Sequence, residues 1–150
     1  MIQLSYAGDL DPLTRIFRPG GEEITGRLFA SVVAGFPSPA DDHHEEEIDI
    51  GRHLVRNPST TFFVRVEGDS MTGESIHPDD ILVVDRSLRP ATGNIVVAAL
   101  NDSFTVKRLR TQGQRVFLEA ANPRYRTIEI SEGDRFSLWG VVTFVLRQTR

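Results

Sequence analysis

From residue 61 to residue 149 the apolar residues come only in short runs, each soon broken by turn-forming residues, and no long helix fits that punctuation. Residues 61–67 are rich in β-branched and aromatic side chains, and Ile81–Asp85 and residues 94–100 are apolar runs of strand length. Asn101-Asp102 has the composition of a tight hairpin and joins residues 94–100 to residues 103–110. Gln112-Gly113 joins that strand to residues 114–120 in the same way. Residues 127–130 and Phe136–Leu146, the latter carrying the sole tryptophan Trp139, complete seven predicted strands. One helix is predicted at residues 48–57, with Asp49 as N-cap and Pro58 as the stop. The expected fold class is mostly β: a compact twisted sheet with one short helix and an extended N-terminal arm.

The chain before residue 61 reads differently. Residues 1–34 hold Pro12, Pro19 and Gly20-Gly21, and their apolar residues keep no sustained period. Within them, residues 22–29 suit either a turn of helix or a short strand, with Gly26 weakening both. Pro37 and Pro39 keep Val32 to Pro39 out of regular structure, because each removes a backbone donor and biases its predecessor toward extended geometry. The acidic run 41–47 reads as a solvated linker. His43-His44 beside Glu45 to Glu47 shows no ligand spacing and reads as surface, so no metal is expected. The organisation expected is an arm (1–34), a linker with a short helix (35–60) and a β-rich domain (61–150).

Composition narrows the function. With 39% hydrophobic and 25% charged residues the chain is an ordinary globular one. It has no cysteine, which rules out disulfides, thiolate metal sites and a cysteine nucleophile. A net charge of −4 argues against a direct nucleic-acid binder, and the local trio Lys107, Arg108 and Arg110 reads as a solvated hairpin face. The apolar runs are too short to span a bilayer, and the first residues lack the basic start and apolar stretch of a signal peptide. The expected location is the cytoplasm.

The chemistry lies in Gly68-Asp69-Ser70-Met71 and Thr105-Val106-Lys107-Arg108. A lone serine after a strand is usually a turn or cap residue, and a lone lysine in a strand is usually an edge charge. Together they make a possible nucleophile and base. Ser70 follows a strand and a glycine, which places a hydroxyl at the lip of a sheet beside backbone N–H groups. Lys107 lies inside a hairpin strand, where its position is fixed. A serine needs a base to take its proton, and an ordinary lysine with pKa near 10.4 is neutral only about once in 2,500 at pH 7. Burial is the means of lowering that pKa. Lys107 shares its strand face with Thr105 and Leu109, so part of its cover has to come from another segment.

These two motifs, with Ile76-His77-Pro78-Asp79-Asp80-Ile81-Leu82-Val83-Val84-Asp85 and Phe104 to Leu109, resemble the peptidase domain of the LexA/UmuD family of self-cleaving Ser–Lys peptidases. Lys107 follows Ser70 by 37 residues, which is the family spacing. Ala34-Gly35 lies about as far before Ser70, where the family places its scissile bond. Gly35-Phe36-Pro37-Ser38-Pro39-Ala40 resembles the stretch after the cut, and Gly140-Val141-Val142 the last strand. One departure is Asp79, where many relatives carry glycine, which bears on the local turn.

The resemblance implies Ser70 as nucleophile, Lys107 as general base, Ala34 and Gly35 flanking the bond, and the N–H groups of Ser70 and Asp69 stabilising the oxyanion. Met71 is expected to pack beside the site, and no cofactor is implied. Residues 1–34 with their glycines and prolines do not suit three packed helices, so the likeness is to the UmuD branch and not to the repressors. That branch implies a homodimer that cleaves itself on a recombinase filament on single-stranded DNA. The trimmed chain then serves a Y-family translesion DNA polymerase in SOS mutagenesis. Two alternatives stand beside it: a non-catalytic polymerase-binding module with a vestigial cleft, and a small self-cleaving repressor using a β-ribbon. A signal peptidase shares the Ser-Met motif and downstream lysine but needs a membrane anchor.

Overall fold

The structure, a computed structural model, describes residues 16–17, 25–28 and 46–150. Among these, 16–17 with 57–150 form one compact unit, and 25–28 with 46–56 form another. The expected scissile pair Ala34-Gly35, and with it Pro37, Pro39 and His43-His44, lies outside the described residues.

After β1 (Ile16–Phe17), the smaller unit pairs β2 (Thr25–Leu28) antiparallel with β3 (Glu46–Asp49), Thr25 opposite Asp49 and Leu28 opposite Glu46. The segment 22–29, open between helix and strand in the sequence, is therefore a strand over 25–28. Glu46 and Glu47, expected in a solvated linker, form the partner strand. Helix α1 (Ile50–Leu54) follows, with Asp49 accepting the Arg52 N–H at 3.0 Å as the expected N-cap. It is shorter than the predicted 48–57. None of its residues is buried, and a helix without a packed face has little to extend it beyond one turn or so.

The larger unit is an antiparallel sheet. Its further strands are β4 (Thr61–Arg65), β5 (Ile81–Asp85), β6 (Ile95–Leu100), β7 (Ser103–Gln112), β8 (Arg115–Glu119), β9 (Ile128–Glu129) and β10 (Phe136–Leu146). Their order is β1-β4-β5-β10-β6-β7-β8-β9. All seven strands expected from the sequence are present. Asn101 and Asp102 take φ of 48° and 67°, the left-handed pair a two-residue hairpin needs. The next turn falls on Gly113-Gln114, one residue beyond the expected Gln112-Gly113, because the glycine takes the left-handed position at φ 61°.

Alternation along the strands sorts the apolar residues into two buried clusters. One holds Phe62, Val64, Met71, Ile76, Leu82, Val84, Val97 and Trp139. The other holds Val96, Ala98, Leu109, Val116, Leu118 and Val141. The last strand, β10, serves both. It pairs with β6 through Val141 and with β5 from Val141 onward. Between Leu138 and Gly140 its register slips by one residue, so Trp139 and Val142 face one cluster while Leu138 and Val141 face the other.

Gly140 sits at that slip. A Cβ there would lie 2.6 Å from Val84 Cγ1 and 3.4 Å from Asp85 O. Gly140→Ala is therefore expected to cost about 2 kcal/mol through overpacking, read as a lower urea midpoint with an unchanged slope. A midpoint equal to that of wild type would show that the slip relaxes freely.

Candidate active site

Lys107 is held near the middle of β7, with β6 on one side and β8 on the other, and Val96 is its partner across β6. Its exposure is only 7%. Ser70 lies in the turn after β4. Gly68, at φ 81°, reverses the chain, and a 3-10 turn over Thr72–Glu74 follows the serine. The two strands thus carry the two side chains to one point: Lys107 Nζ is 2.7 Å from Ser70 Oγ.

The other contacts of Lys107 fix the direction of the amine. Nζ also donates to Thr105 Oγ1 at 2.9 Å and to the carbonyl of Val106 at 3.0 Å. As an ammonium it has three N–H groups for these three oxygens. After losing one proton it keeps two, which Thr105 and Val106 take up, and its lone pair then faces the Ser70 hydroxyl. Burial pushes the Lys107 pKa below the ordinary lysine value of 10.5, because the low-dielectric surroundings disfavour the charged form. The arrangement can move a proton from a serine to an amine at a lower pH than an ordinary lysine allows.

A cleft of about 300 Å³ opens beside the pair. Val64, Val66, Met71, Val97 and Phe104 supply apolar wall, and Gly68, Ser70 and Thr105 supply polar wall. Met71 is 3% exposed and packs in the first cluster, as expected for a packing residue. Among the described residues, neither the Asp69 nor the Ser70 N–H donates a hydrogen bond, so both expected oxyanion donors are available. The basic trio of the sequence is no common solvated face. Lys107 is buried, Arg108 pairs with Glu74, and Arg110 pairs with Glu119 and lies over the Phe117 ring.

Asp79, the departure from glycine, takes φ 70° in the turn before β5. The position keeps the left-handed backbone that glycine favours, and aspartate is one of the few side chains that tolerate it. Its N–H donates to the Val66 carbonyl at 3.0 Å, which closes the turn against the end of β4.

The loop 121–125 was passed over in the sequence, although Asn122-Pro123 is a turn signal. It borders the turn that carries Ser70. The Ala121 N–H donates to the Ser70 carbonyl at 2.9 Å, Asn122 Nδ2 donates to the Asp69 carbonyl at 2.9 Å, and the Tyr125 hydroxyl donates to the Asp69 carboxylate.

The chain is similar to known proteins over most of its length. The Peptidase S24-like family matches residues 27–143. Protein SamA of Salmonella typhimurium is 44% identical over 78% of this chain and 81% of its own length. Protein ImpA of the same species is 40% identical over 88% of this chain and 91% of its own. Protein MucA of Escherichia coli is 43% identical over 77% of this chain and 79% of its own.

Proposed function

The chain belongs to the Peptidase S24-like family, and from that premise we propose that it is a UmuD-like, self-cleaving serine peptidase with Ser70 as nucleophile and Lys107 as general base. The observation that carries this reading is the 2.7 Å contact between Ser70 Oγ and the buried Lys107 amine. Neutral Lys107 takes the hydroxyl proton as Oγ attacks the Ala34 carbonyl. The N–H groups of Ser70 and Asp69 take the charge that develops on the carbonyl oxygen. The C–N bond to Gly35 breaks, and Lys107 returns its proton to the departing amine. Water, deprotonated by Lys107, then attacks the Ala34 ester, the bond from the Ala34 carbonyl carbon to Ser70 Oγ breaks, and Lys107 gives its proton to the departing Oγ. A tethered substrate makes positioning a large part of the rate.

The product, residues 35–150, would act as a homodimeric accessory subunit of a Y-family translesion DNA polymerase, in keeping with the likeness to the UmuD branch. A recombinase filament on single-stranded DNA would activate cleavage by raising the population in which the 33–37 segment occupies the cleft. No helix among the described residues is long and apolar enough to cross a membrane. The reaction is proposed to run in the cytoplasm.

Intact mass of the purified full chain after incubation at pH 7 and pH 10, beside Ser70→Ala, tests the proposal. A fragment beginning at Gly35 is expected in wild type, formed faster at pH 10 because more Lys107 is neutral there, and absent in Ser70→Ala. A fragment that persists in Ser70→Ala would remove Ser70 as nucleophile. If no fragment forms at either pH, adding the filament decides: continued absence would move the function to a non-catalytic polymerase-binding module.

A further inference from the structure

The loop after β8 holds the nucleophile turn by its carbonyls. Asn122 Nδ2 donates to the Asp69 carbonyl at 2.9 Å, and the Ala121 N–H donates to the Ser70 carbonyl at 2.9 Å. The Asn122 amide has one workable orientation. Its Oδ1 accepts the Arg124 N–H at 3.0 Å, which leaves Nδ2 as the group facing Asp69. The Tyr125 hydroxyl and the Arg124 guanidinium, the latter at 4.0 Å, reach the Asp69 carboxylate from the same loop.

The Asp69 carbonyl and the Ser70 N–H belong to one trans peptide plane, so they point to opposite sides. Anchoring the carbonyl on the 121–125 loop turns the N–H the other way. The wall of the cleft takes in Gly68, Ser70 and Met71 and no residue of the 121–125 loop. Among the described residues the Ser70 N–H has no acceptor. A donor on the carbonyl also polarises the amide and strengthens its N–H as a donor in turn.

We propose that Asn122 is a positioning residue for the oxyanion site, fixing the Asp69–Ser70 peptide so that the Ser70 N–H is aimed into the cleft. The inference rests on the reading of Ser70 as nucleophile and adds to it a residue that touches neither Ser70 Oγ nor Lys107. The backbone bond from Ala121 holds the next carbonyl and survives substitution of Asn122, so loss of the side chain loosens the peptide without releasing the turn.

The test is the first-order self-cleavage rate of the purified full chain across pH, for wild type, Asn122→Ala and Asn122→Asp. The amide resonance of Ser70 is followed by NMR in each. Asp is nearly isosteric with Asn but has no N–H to give, so a role in packing alone would be rescued by it. Both variants are expected to lower the plateau rate on the order of 10- to 100-fold, short of deleting an oxyanion donor outright. The midpoint pH should stay in place, because the Ser70–Lys107 pair is untouched, and the Ser70 amide resonance should move. Cleavage by Asn122→Asp within about threefold of wild type, or a shifted midpoint in Asn122→Ala, would overturn the proposal. Should wild type fail to cleave at any pH even with the filament present, the cleavage reading falls and the resonance alone decides this one: an unmoved Ser70 amide in Asn122→Ala overturns it.

Discussion

Lys107→Met is expected to abolish self-cleavage and, at the same time, to make the folded chain more stable at pH 7. The loss of activity follows from the proposed role of Lys107: a positioned general base contributes about 10²- to 10⁴-fold, and methionine cannot take the Ser70 proton. The gain in stability follows from the burial of the amine. Lys107 has 7% exposure, and its pKa is pushed below 10.5 by desolvation. Below its folded pKa the chain carries a charge that folding has taken out of water, which is a cost the methionine variant does not have. The lost hydrogen bonds to Ser70, Thr105 and Val106 offset part of this gain. A net increase of about 1 kcal/mol at pH 7 is expected.

The pH dependence separates this from a simple packing effect. Between the folded pKa of Lys107 and the unfolded value near 10.5, the unfolded chain binds more protons than the folded one, so wild type gains stability as pH rises. The advantage of Lys107→Met is therefore full below the folded pKa and fades as pH approaches 10.5. Urea unfolding of both proteins at pH 7 and pH 10 reads it directly. An advantage of the same size at both values would locate it in packing and not in the charge.

The strands were legible because each apolar run is bounded by residues with a turn mechanism. Asn101-Asp102 and Gly113 supply left-handed backbone where the hairpins close. The order of the strands was not legible. β10, last in the chain, lies between β5 and β6, and only long-range pairing decides that. The slip at Gly140 that swaps Val141 to the other face is equally invisible to a period-two pattern.

At the site, Ser70 and Lys107 were recognisable from motif and spacing, yet the sequence put Lys107 on a face with Thr105 and left its environment open. The structure gives Thr105 a role there, as an acceptor for the amine. Asn122 was missed because Asn122-Pro123 marks a turn and nothing local marks what the side chain would bond. Its partner is the Asp69 backbone, 53 residues earlier, and a hydrogen bond to a carbonyl leaves no residue-type signal at the other end.

The second large effect falls on Asp80, which holds the turn between Ser70 and β5. Its carboxylate is 3% exposed and accepts two bonds from Arg147 and one, at 2.8 Å, from the His77 N–H. Arg147 reaches on to the Ser75 carbonyl, so one ion pair ties the end of β10 to the segment that follows Ser70. Asp80→Ala is expected to cost about 2–3 kcal/mol, since it removes charged hydrogen bonds and leaves the His77 N–H without its acceptor. Arg147, being half exposed, regains water and limits the loss. The bond from Arg147, with the His77 N–H behind it, holds the Asp80 pKa below 3.8 despite its burial. A carboxylate with a lowered folded pKa contributes stability above its unfolded value and loses it as pH falls through the folded one. In Asp85 burial alone would raise the pKa, but bonds from Ser87, Asn57 and Thr60 outweigh it, so that carboxylate adds to the same acid limb. Asp80→Asn should start lower at pH 6 and lose less than wild type between pH 4 and pH 2, while keeping a residual slope from Asp85. Urea midpoints across that range, with Arg147→Ala to close the cycle, read both parts. Parallel acid limbs in wild type and Asp80→Asn would place the acid sensitivity elsewhere in the chain.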